Sequence, residues 1–397
     1  MHVWEQRKIS DLSESNIGGG TPRTSIKKYW NGRTPWIQSS DLQEHDVKNI
    51  RVNKKITEEA LKESAAKLIP ENSIAVVTRV GVGKVSLVSF EYSTSQDFLS
   101  LSKLLVDKWF ATYLLYYKLQ NELLSLQGTS IKGITKKELL AKKVQISNDQ
   151  QEQVLIGQLI NLLDDTIELH QRRLNIFKKL RQNYMFTMFI NSEKLSPKLR
   201  FRNYKEDWVE NRLREVGKTF SGLSGKTKED FGHGEAEYVT YLNVFKNRIS
   251  DLSLTEKIEI DPKQKQLRYG DVIFTTSSEI PQEVGMSSVW LDNRQNVYLN
   301  SFCFGFRPII TFNNFFLASL LRTNDFRKQM YILAQGISRY NISKSKVMNI
   351  KIHAPSLKEQ EKIGKIAKNF DKEYKLLENK IFKLQKLKET FLQKMFL

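Results

Sequence analysis

Cysteine is almost absent from this 397-residue sequence, which contains only Cys303. A single thiol forms no internal disulfide, so the core must hold the fold, and a reducing, cytoplasmic setting is expected. Long apolar runs are missing as well: no stretch approaches about 18 uninterrupted apolar residues, which argues against a membrane-spanning helix. The opening MHVWEQRKIS has no apolar run or small-residue cleavage site, so we expect no secretory leader.

Acidic residues are scarce relative to basic ones. The sequence has 44 Asp and Glu against 63 Lys and Arg, for a formal net charge of +19. This excess favours a polyanionic partner, with nucleic acid first, because a basic surface attracts phosphates and releases their counterions. An anionic membrane surface is the competing explanation. A lysine-rich surface that is merely solvated is the third.

Motifs that carry catalysis are also lacking. Segment 79–84 resembles a phosphate-binding loop, but Thr78 stands where the first glycine is required and Val85 follows the lysine. Neither an Asn-Pro-Pro-aromatic nor an Asp-Pro-Pro-aromatic stretch occurs, and G-x-S-x-G is absent. The five histidines are scattered and form no convincing metal site. We therefore expect a non-catalytic chain that holds no metal or cofactor of its own.

What the sequence does contain is an internal repeat. LQGTSIKGITKKEL at 126–139 and LAQGISRYNISKSKV at 333–347 share Gln-Gly, then Ile, then Ser or Thr followed by Lys. The Glu-Gln and Ile-Gly pairs within 152–157 recur within 359–364. The chain is thus two copies of one plan. In each copy a variable segment of about 150 residues precedes a similar segment of about 40.

The similar segments carry a heptad pattern, which predicts two long helices that form a coiled coil. In the first copy the seam positions are Ile156, Ile160, Leu163, Ile167, His170, Leu174, Phe177, Arg181, Tyr184 and Met188. In the second copy they are Ile363, Ala367, Phe370, Tyr374, Leu377, Ile381, Leu384, Lys388, Phe391 and Met395.

Each seam has a basic residue at the same position, Arg181 or Lys388. One interpretation is a long side chain that extends from the seam edge into solvent. The other is a device that sets helix register or orientation. Two equal helices in one chain, related by an internal two-fold, predict an antiparallel pair.

The variable segments combine β-branched runs interrupted by glycine with helical stretches, so the predicted fold class is α+β, with two mixed α/β domains and an internal pseudo-two-fold repeat. Each begins with a tryptophan and a short apolar pattern, followed by a loop rich in Gly, Ser, Thr and Lys, NIGGGTPRTSIKKYW or FSGLSGKTKEDFGHG. The amides and hydroxyls of these loops are suited to approach a phosphate. The predicted domains are 1–150 and 193–356, with helices at 151–192 and 357–397.

The Gln-Gly element follows a helical stretch in both copies. Gly128 and Gly336 are predicted to stop these helices in the left-handed conformation. Thr135 and Glu138 form a capping box for the next helix, and Ser343 is the cap in the second copy. Short strands are predicted next, at 144–146 and 350–352.

Polar side chains of these loops and elements are candidate DNA contacts, suited to reach base edges or phosphates. In the first copy they are Thr21, Arg23, Lys27, Lys28, Arg79, Lys84, Gln127, Thr129 and Lys132. In the second they are Lys226, Lys228, Tyr241, Asn243, Ser277, Ser278, Gln335, Ser338, Arg339 and Tyr340.

Taken together, the repeated motifs resemble the DNA specificity subunit of type I restriction–modification systems. The motifs are GGGTPRTSIKKYWNGRTPWIQSSDL (18–42), LQGTSIKGIT (126–135) and the helix 152–185, with second-copy partners AQGISRYNIS (334–343) and the helix 359–396. The linker 196–208 also fits this family. The first copy departs from the second in having QISNDQQEQ where the second has HAPSLKEQ, with a proline.

The resemblance implies that each variable domain binds one half of a split, asymmetric target in double-stranded DNA. The helices would set the spacer and dock two methyltransferase subunits, through which restriction subunits join. S-adenosylmethionine, ATP and Mg would belong to those partners, and the cell would be bacterial or archaeal.

Two alternatives come from other functional classes. One is a nucleic-acid enzyme with an unrecognised active site, which predicts cleavage or methyl transfer by the isolated chain. The other is a coiled-coil adaptor that binds only proteins, which predicts no salt-sensitive affinity for DNA.

Overall fold

The computed structural model describes residues 4–125, 133–190 and 196–396, which fall into two compact units. Unit 1 comprises Met1–Arg172 with Asn379–Leu397, and unit 2 comprises Arg173–Glu378. Each contains a mixed α/β domain and part of two long helices. Across the described residues, no helix combines the length and the apolar character needed to cross a membrane.

The first copy is built of groups of short strands separated by helices. They are β1 (Trp4–Lys8), β2 (Ser13–Gly18), β3 (Trp30–Ile37), β4 (Lys54–Ile56), α1 (Glu58–Glu63), β5 (Ser73–Val77), β6 (Val85–Val88), β7 (Ser93–Thr94), β8 (Phe98–Leu104), α2 (Lys108–Ser125), α3 (Lys136–Ala141), β9 (Lys143–Ser147) and the long helix α4 (Gln150–Met188).

The second copy has the same order of paired strands, but some of its helices differ. Its elements are β10 (Val209–Arg212), α5 (Leu213–Val216), β11 (Gly217–Ser221), β12 (Phe231–Val239), α6 (Tyr241–Lys246), β13 (Thr255–Ile258), β14 (Val272–Thr275), β15 (Ser277–Ser278), β16 (Ser287–Val289), β17 (Val297–Leu299), β18 (Cys303–Pro308), α7 (Asn314–Leu320), α8 (Asn324–Ile332), β19 (Tyr340–Asn341), α9 (Lys344–Val347), β20 (Lys351–Ala354) and the long helix α10 (Leu357–Met395). Helix α6 precedes β13, and α1 has no counterpart between β13 and β14.

The sheets confirm the repeat strand by strand. The four-stranded sheet has the order β2-β8-β5-β6 in unit 1 and β11-β18-β14-β16 in unit 2. The three-stranded sheets, β4-β3-β7 and β13-β12-β17, also match, and each contains one parallel pair. In both copies the first strand pairs with the strand that precedes the long helix, β1 with β9 and β10 with β20.

The main core of each unit lies between the four-stranded sheet, the helix that follows it and the seam of a long helix. In unit 1, Leu101 of β8 and Leu115 of α2 are fully buried in one cluster with Ile160 of α4. Phe396, at the end of the second copy, packs edge-on against Phe110 with ring centroids 5.3 Å apart. Burial of these apolar side chains is the main term that stabilises the domain.

The long helices pair in antiparallel fashion, as predicted. Within unit 2, Lys178 lies over the Tyr374 ring, while Arg181, one turn later, pairs with Asp371, about one turn earlier on α10. Every predicted seam position on α4 and α10 is buried or half-buried. The heptad pattern therefore identified the buried faces of both helices.

The basic residues in the seams form two equivalent ion pairs. Arg181 lies 3.0 Å from Asp371 in unit 2, and Lys388 lies 2.5 Å from Asp164 in unit 1. Of the two interpretations, the register device is the one that agrees with these contacts, because each base meets a carboxylate on the facing helix rather than solvent alone.

Each of these carboxylates, Asp164 and Asp371, is also bonded to its own domain. Tyr113 of α2 donates to Asp164 at 2.7 Å. The Arg248 guanidinium donates twice to Asp371, at 2.6 and 3.0 Å, and burial lowers the pKa of this arginine despite its carboxylate partner. Within each unit, one carboxylate therefore contacts both the facing long helix and the domain.

The repeated Glu-Gln and Ile-Gly pairs place the long helix against the cap of a domain helix. Gln153 accepts from the Asp107 amide at 2.9 Å, and Gln360 accepts from the Asn313 amide at 3.1 Å. Asp107 and Asn313 in turn accept from the first-turn amides of α2 and α7.

A glycine one turn later on each long helix permits this close approach. A Cβ at Gly157 would lie 2.6 Å from the Phe110 nitrogen, and one at Gly364 would lie 2.0 Å from Asn313 Oδ1. Any side chain at either position would force the helix away from the domain.

Around the Gln-Gly elements some predictions are confirmed and one is wrong. The Thr135–Glu138 capping box is confirmed, and β9 and β20 confirm the two short strands. The prediction for Gly336 is wrong: α8 ends at Ile332, and Gly336 has φ of 144°, outside the helix-stop conformation. Gly128 lies outside the described residues. Ser343 precedes α9, but its hydroxyl meets Ser345 rather than an amide.

We predict that Asp164→Asn lowers the free energy of unfolding by about 2 kcal/mol, because it leaves a largely buried Lys388 ammonium without its carboxylate. The effect is smaller than for a fully buried pair, since both side chains keep some solvent contact. Thermal and urea unfolding of the purified chain measure it.

Two matched variants control this experiment. Glu168→Gln breaks an exposed pair with Arg172 on the same helix and should cost under about 0.5 kcal/mol. Asp164→Asn combined with Lys388→Met removes both charges and should recover most of the loss. Equal effects of the two single variants would contradict a register role for the seam pair.

Candidate nucleic-acid interface

Both Gln-Gly elements are anchored at the same point of their domain. The Ile134 amide donates to the Thr78 carbonyl at 2.8 Å, just beyond β5. The Ile342 amide donates to the Thr276 carbonyl at 3.0 Å, just beyond β14. Because β5 and β14 occupy equivalent places in their sheets, Ile134, in the described end of the first element, and Ile342 in the second lie at the same edge of their domain.

In unit 1 this edge carries a cluster of exposed basic side chains, Lys67, Arg79 and Lys136. Partial desolvation, followed by the like charges of Lys67 and Arg79, lowers the pKa of Lys136. A Cβ at Gly18 would lie 1.9 Å from the Lys136 ammonium, so only glycine lets this ammonium approach β2 so closely. Clustered positive charge of this kind attracts a bound anion.

Unit 2 places a lysine at the corresponding position. Lys344, which aligns with Lys136, donates to the Ser221 hydroxyl at 2.8 Å. Ser221 adjoins Gly222, the counterpart of Gly18. The sequence candidates did not include Lys67, Lys136 or Lys344. The repeated Ser/Thr-Lys dipeptide could have identified Lys136 and Lys344.

The second Gln-Gly element forms a hairpin. Gln335 and Asn341 exchange two backbone hydrogen bonds, and β19 pairs with β15. The Tyr241 hydroxyl donates to the Ser277 carbonyl at 2.6 Å beneath it. Six of the predicted contacts are thereby brought to one surface: Tyr241, Ser278, Gln335, Ser338, Arg339 and Tyr340.

Phe302 belongs to the same surface and was not predicted. Its ring is half exposed, and the Arg339 guanidinium lies over it at 5.6 Å. Phe302 is the first of three alternating phenylalanines in SFCFGF (301–306). Nothing in that local pattern indicated this contact, because the pairing of Phe302 with Arg339 joins segments far apart in the chain.

Two of the predicted contacts are corrected by burial. Asn243 is completely buried, and its amide group bonds to the backbone of Asp251 and Leu254. Ser277 is only 4% exposed and lies within β15. Both side chains belong to the interior of unit 2 because the strands and the loop around them close over these positions.

Two predicted lysines have internal partners. The Lys84 ammonium donates to the carbonyls of Leu42 and Ser39 at 2.9 and 3.3 Å. Lys226 pairs with Asp261 at 3.0 Å and is largely buried. A contact with DNA would have to compete with these bonds, which hold neighbouring loops together.

The first glycine-rich loop is packed rather than open. The Gly19 and Gly20 amides donate to the carbonyls of Phe98 and Thr94. A Cβ at Gly20 would lie 1.9 Å from the Ala65 carbonyl oxygen. These glycines therefore serve close backbone packing, and the expectation that their amides approach a phosphate is wrong.

The remaining candidates divide by exposure and by position. Arg23, Lys27 and Lys228 are exposed, Thr21 is half-buried, and Lys28 is exposed and pairs with Glu63 at 2.8 Å. Gln127, Thr129 and Lys132 lie outside the described residues. The exposed candidates stay predictions.

The comparisons with known proteins agree with this geometry. A family model described as the type I restriction modification DNA specificity domain matches residues 1–178 and 205–386, one match in each copy. The specificity subunit of the type I restriction enzyme MjaIX from Methanocaldococcus jannaschii is 29% identical over 303 residues, covering 72% of this chain and 69% of the relative.

A second relative and a solved structure extend the comparison. The EcoR124I/EcoR124II specificity subunit of Escherichia coli is 28% identical over 184 residues, covering 41% of this chain and 44% of the relative. The crystal structure of a type I restriction-modification S subunit from M. genitalium superposes with a TM-score of 0.61 at 18% identity, covering 100% of this chain and 96% of that one. At this identity the structural match speaks for the fold.

Proposed function

We propose, from the premise that this chain belongs to the family of type I restriction–modification DNA specificity proteins, that each unit binds one half of a split, asymmetric DNA target. The observation that carries the proposal is the duplicated edge, where equivalent Gln-Gly elements meet different surface chemistry. Two sites that bind different DNA sequences need the same position in each domain but different side chains on the surface. The two units have this arrangement.

The basic residues at this edge would position the DNA backbone. Lys136 and Lys344 occupy corresponding positions, and Lys67 and Arg79 add to the field in unit 1. Contacts to phosphates supply most of the affinity of such proteins without discriminating sequence. The formal charge of +19 agrees with this role.

The long helices would set the spacer and dock the partner subunits. On α4, Leu155, Leu162, Leu169 and Ile176 are each about 60% exposed at strict seven-residue spacing. They form a second apolar stripe, apart from the buried seam, of the kind that marks a protein-binding face. The aligned positions of α10 are Lys362, Asn369, Leu376 and Lys383, so this stripe is specific to α4.

This chain would determine which DNA sequence is bound, and its partner subunits would carry out the methylation and cleavage. We expect methyltransferase subunits to bring S-adenosylmethionine, and restriction subunits that join through them to use ATP and Mg. Because the target is cellular DNA, we expect the protein in the bacterial or archaeal cytoplasm. Cleavage or methyl transfer by the isolated chain, given DNA, magnesium and S-adenosylmethionine, would contradict this division.

We predict that the complex with methyltransferase subunits modifies two short half-sites separated by a fixed gap, mapped by methylation sequencing. Matched seven-residue insertions after Arg172 in α4 and after Glu378 in α10, at the boundaries between the units, keep the heptads in register. They add about 10 Å to each helix. The gap should lengthen while both half-sites stay the same, and altered half-sites would count against the spacer role.

We predict that Lys136→Ala and Lys344→Ala each weaken DNA binding about equally for all sequences and lower the salt slope of the affinity by about one, as loss of a phosphate contact requires. Titration of labelled duplexes at several salt concentrations measures this. Lys372→Ala, an equal charge loss on an exposed face of α10, is the control. A slope change as large in the control would assign the effect to net charge alone.

We predict that Leu162→Glu and Leu169→Glu reduce co-purification with the methyltransferase subunit at least tenfold, because a charge in an apolar contact is desolvated without a partner. Gln171→Glu introduces the same charge at an exposed polar position on the opposite side of α4 and should bind normally. Normal assembly of the leucine variants, with unfolding midpoints unchanged, would exclude the stripe as a docking face.

A further inference from the structure

The hairpin of the second Gln-Gly element ends in a short turn, residues 336–340, which we name the tip loop. The Gln335 and Asn341 backbones close it with hydrogen bonds of 3.0 and 2.8 Å. Gly336 has φ of 144°, and a Cβ there would lie 2.1 Å from the Arg339 carbonyl oxygen. The turn therefore has one tight backbone path, which glycine makes accessible.

The base of the tip loop is held by the domain beneath it. Ser277 and Ser278 of β15 pair with Asn341 and Tyr340. The Tyr241 hydroxyl donates to the Ser277 carbonyl, and burial raises the pKa of this tyrosine, so the hydroxyl keeps its proton. A tip fixed in this way loses little conformational entropy when it binds.

The tip presents side chains that folding does not explain. Ile337 is 96% exposed, so an apolar side chain stands in water at the end of a closed turn. Beside it, the Arg339 guanidinium lies 5.6 Å from the centroid of the Phe302 ring, and that ring is itself 51% exposed. An arginine on an aromatic face is oriented before it meets a ligand.

We propose that the tip loop enters the major groove of the half-site bound by unit 2, where Arg339 donates to a guanine edge and Ile337 packs on a neighbouring thymine methyl. The inference rests on the proposed function and assigns base contacts to particular residues. The planar guanidinium matches the two acceptors of guanine, O6 and N7, and an aliphatic side chain in the groove contacts the thymine methyl. A phosphate offers no apolar partner for Ile337, which favours bases over backbone.

The test substitutes each base pair of both half-sites in turn and measures methylation rates with the assembled complex. Arg339→Ala should reduce discrimination at one guanine position roughly 10- to 100-fold, with the half-site of unit 1 unaffected. Arg339→Lys keeps the charge but loses the planar fork, so it should lose about as much discrimination while the salt slope stays unchanged. Ile337→Ala should relax a thymine position a few-fold.

The controls separate this inference from the function beneath it. Arg202→Ala removes an exposed arginine from the linker and should leave all base preferences unchanged. Unfolding midpoints equal to those of the unsubstituted chain show that the tip variants are folded.

If Arg339→Ala weakens every sequence equally and Arg339→Lys restores binding, Arg339 contacts a phosphate and the inference is overturned. Unchanged discrimination in the Ile337 variant removes its part of the inference. A target of the unsubstituted complex that lacks two half-sites would instead contradict the proposed function itself.

Discussion

A carboxylate directly beside the seam of each long helix, Asp164 or Asp371, is the constraint on which the rest of the structure depends. Each accepts from a basic residue of the antiparallel helix, Lys388 or Arg181. Each also accepts from its own domain. A charged pair that is partly withdrawn from water tolerates few alternative registers, because any slip leaves a charge unpartnered. Within each unit, helix register and domain placement are therefore determined together.

Around this centre the duplication is kept in contacts, some made by identical residues and some by different ones. Gln153 and Gln360 make the same bond to a helix cap, and Gly157 and Gly364 leave the same space for it. By contrast, Lys48 reaches Asp165 and the Asn161 carbonyl in unit 1, where Arg248 reaches Asp371 and the Ala367 carbonyl in unit 2. Different side chains thus hold each domain against its long helix. The residues at the surface edges take no part in these contacts and can differ between the units.

The surface edges of the two units differ in their chemistry. Unit 1 presents a cluster of cations around Lys136, whereas unit 2 presents a closed hairpin with an arginine on an aromatic ring. The first arrangement suits a charged backbone, and the second adds groups that distinguish base edges. Equivalent anchoring at the ends of β5 and β14 gives both chemistries the same place in the fold.

The sequence alone determined the repeat, the buried seams of the helices and the α+β class, because periodicity and internal similarity are read along the chain without knowing which segments meet in space. It also identified the capping box at Thr135, a local signal. Only the tertiary structure decided that Asn243 is interior, that Gly19 and Gly20 pack against backbone, and that Phe302 supports Arg339. Those outcomes depend on segments far apart in the chain coming together, and composition is the same whether a polar side chain ends in the core or on the surface.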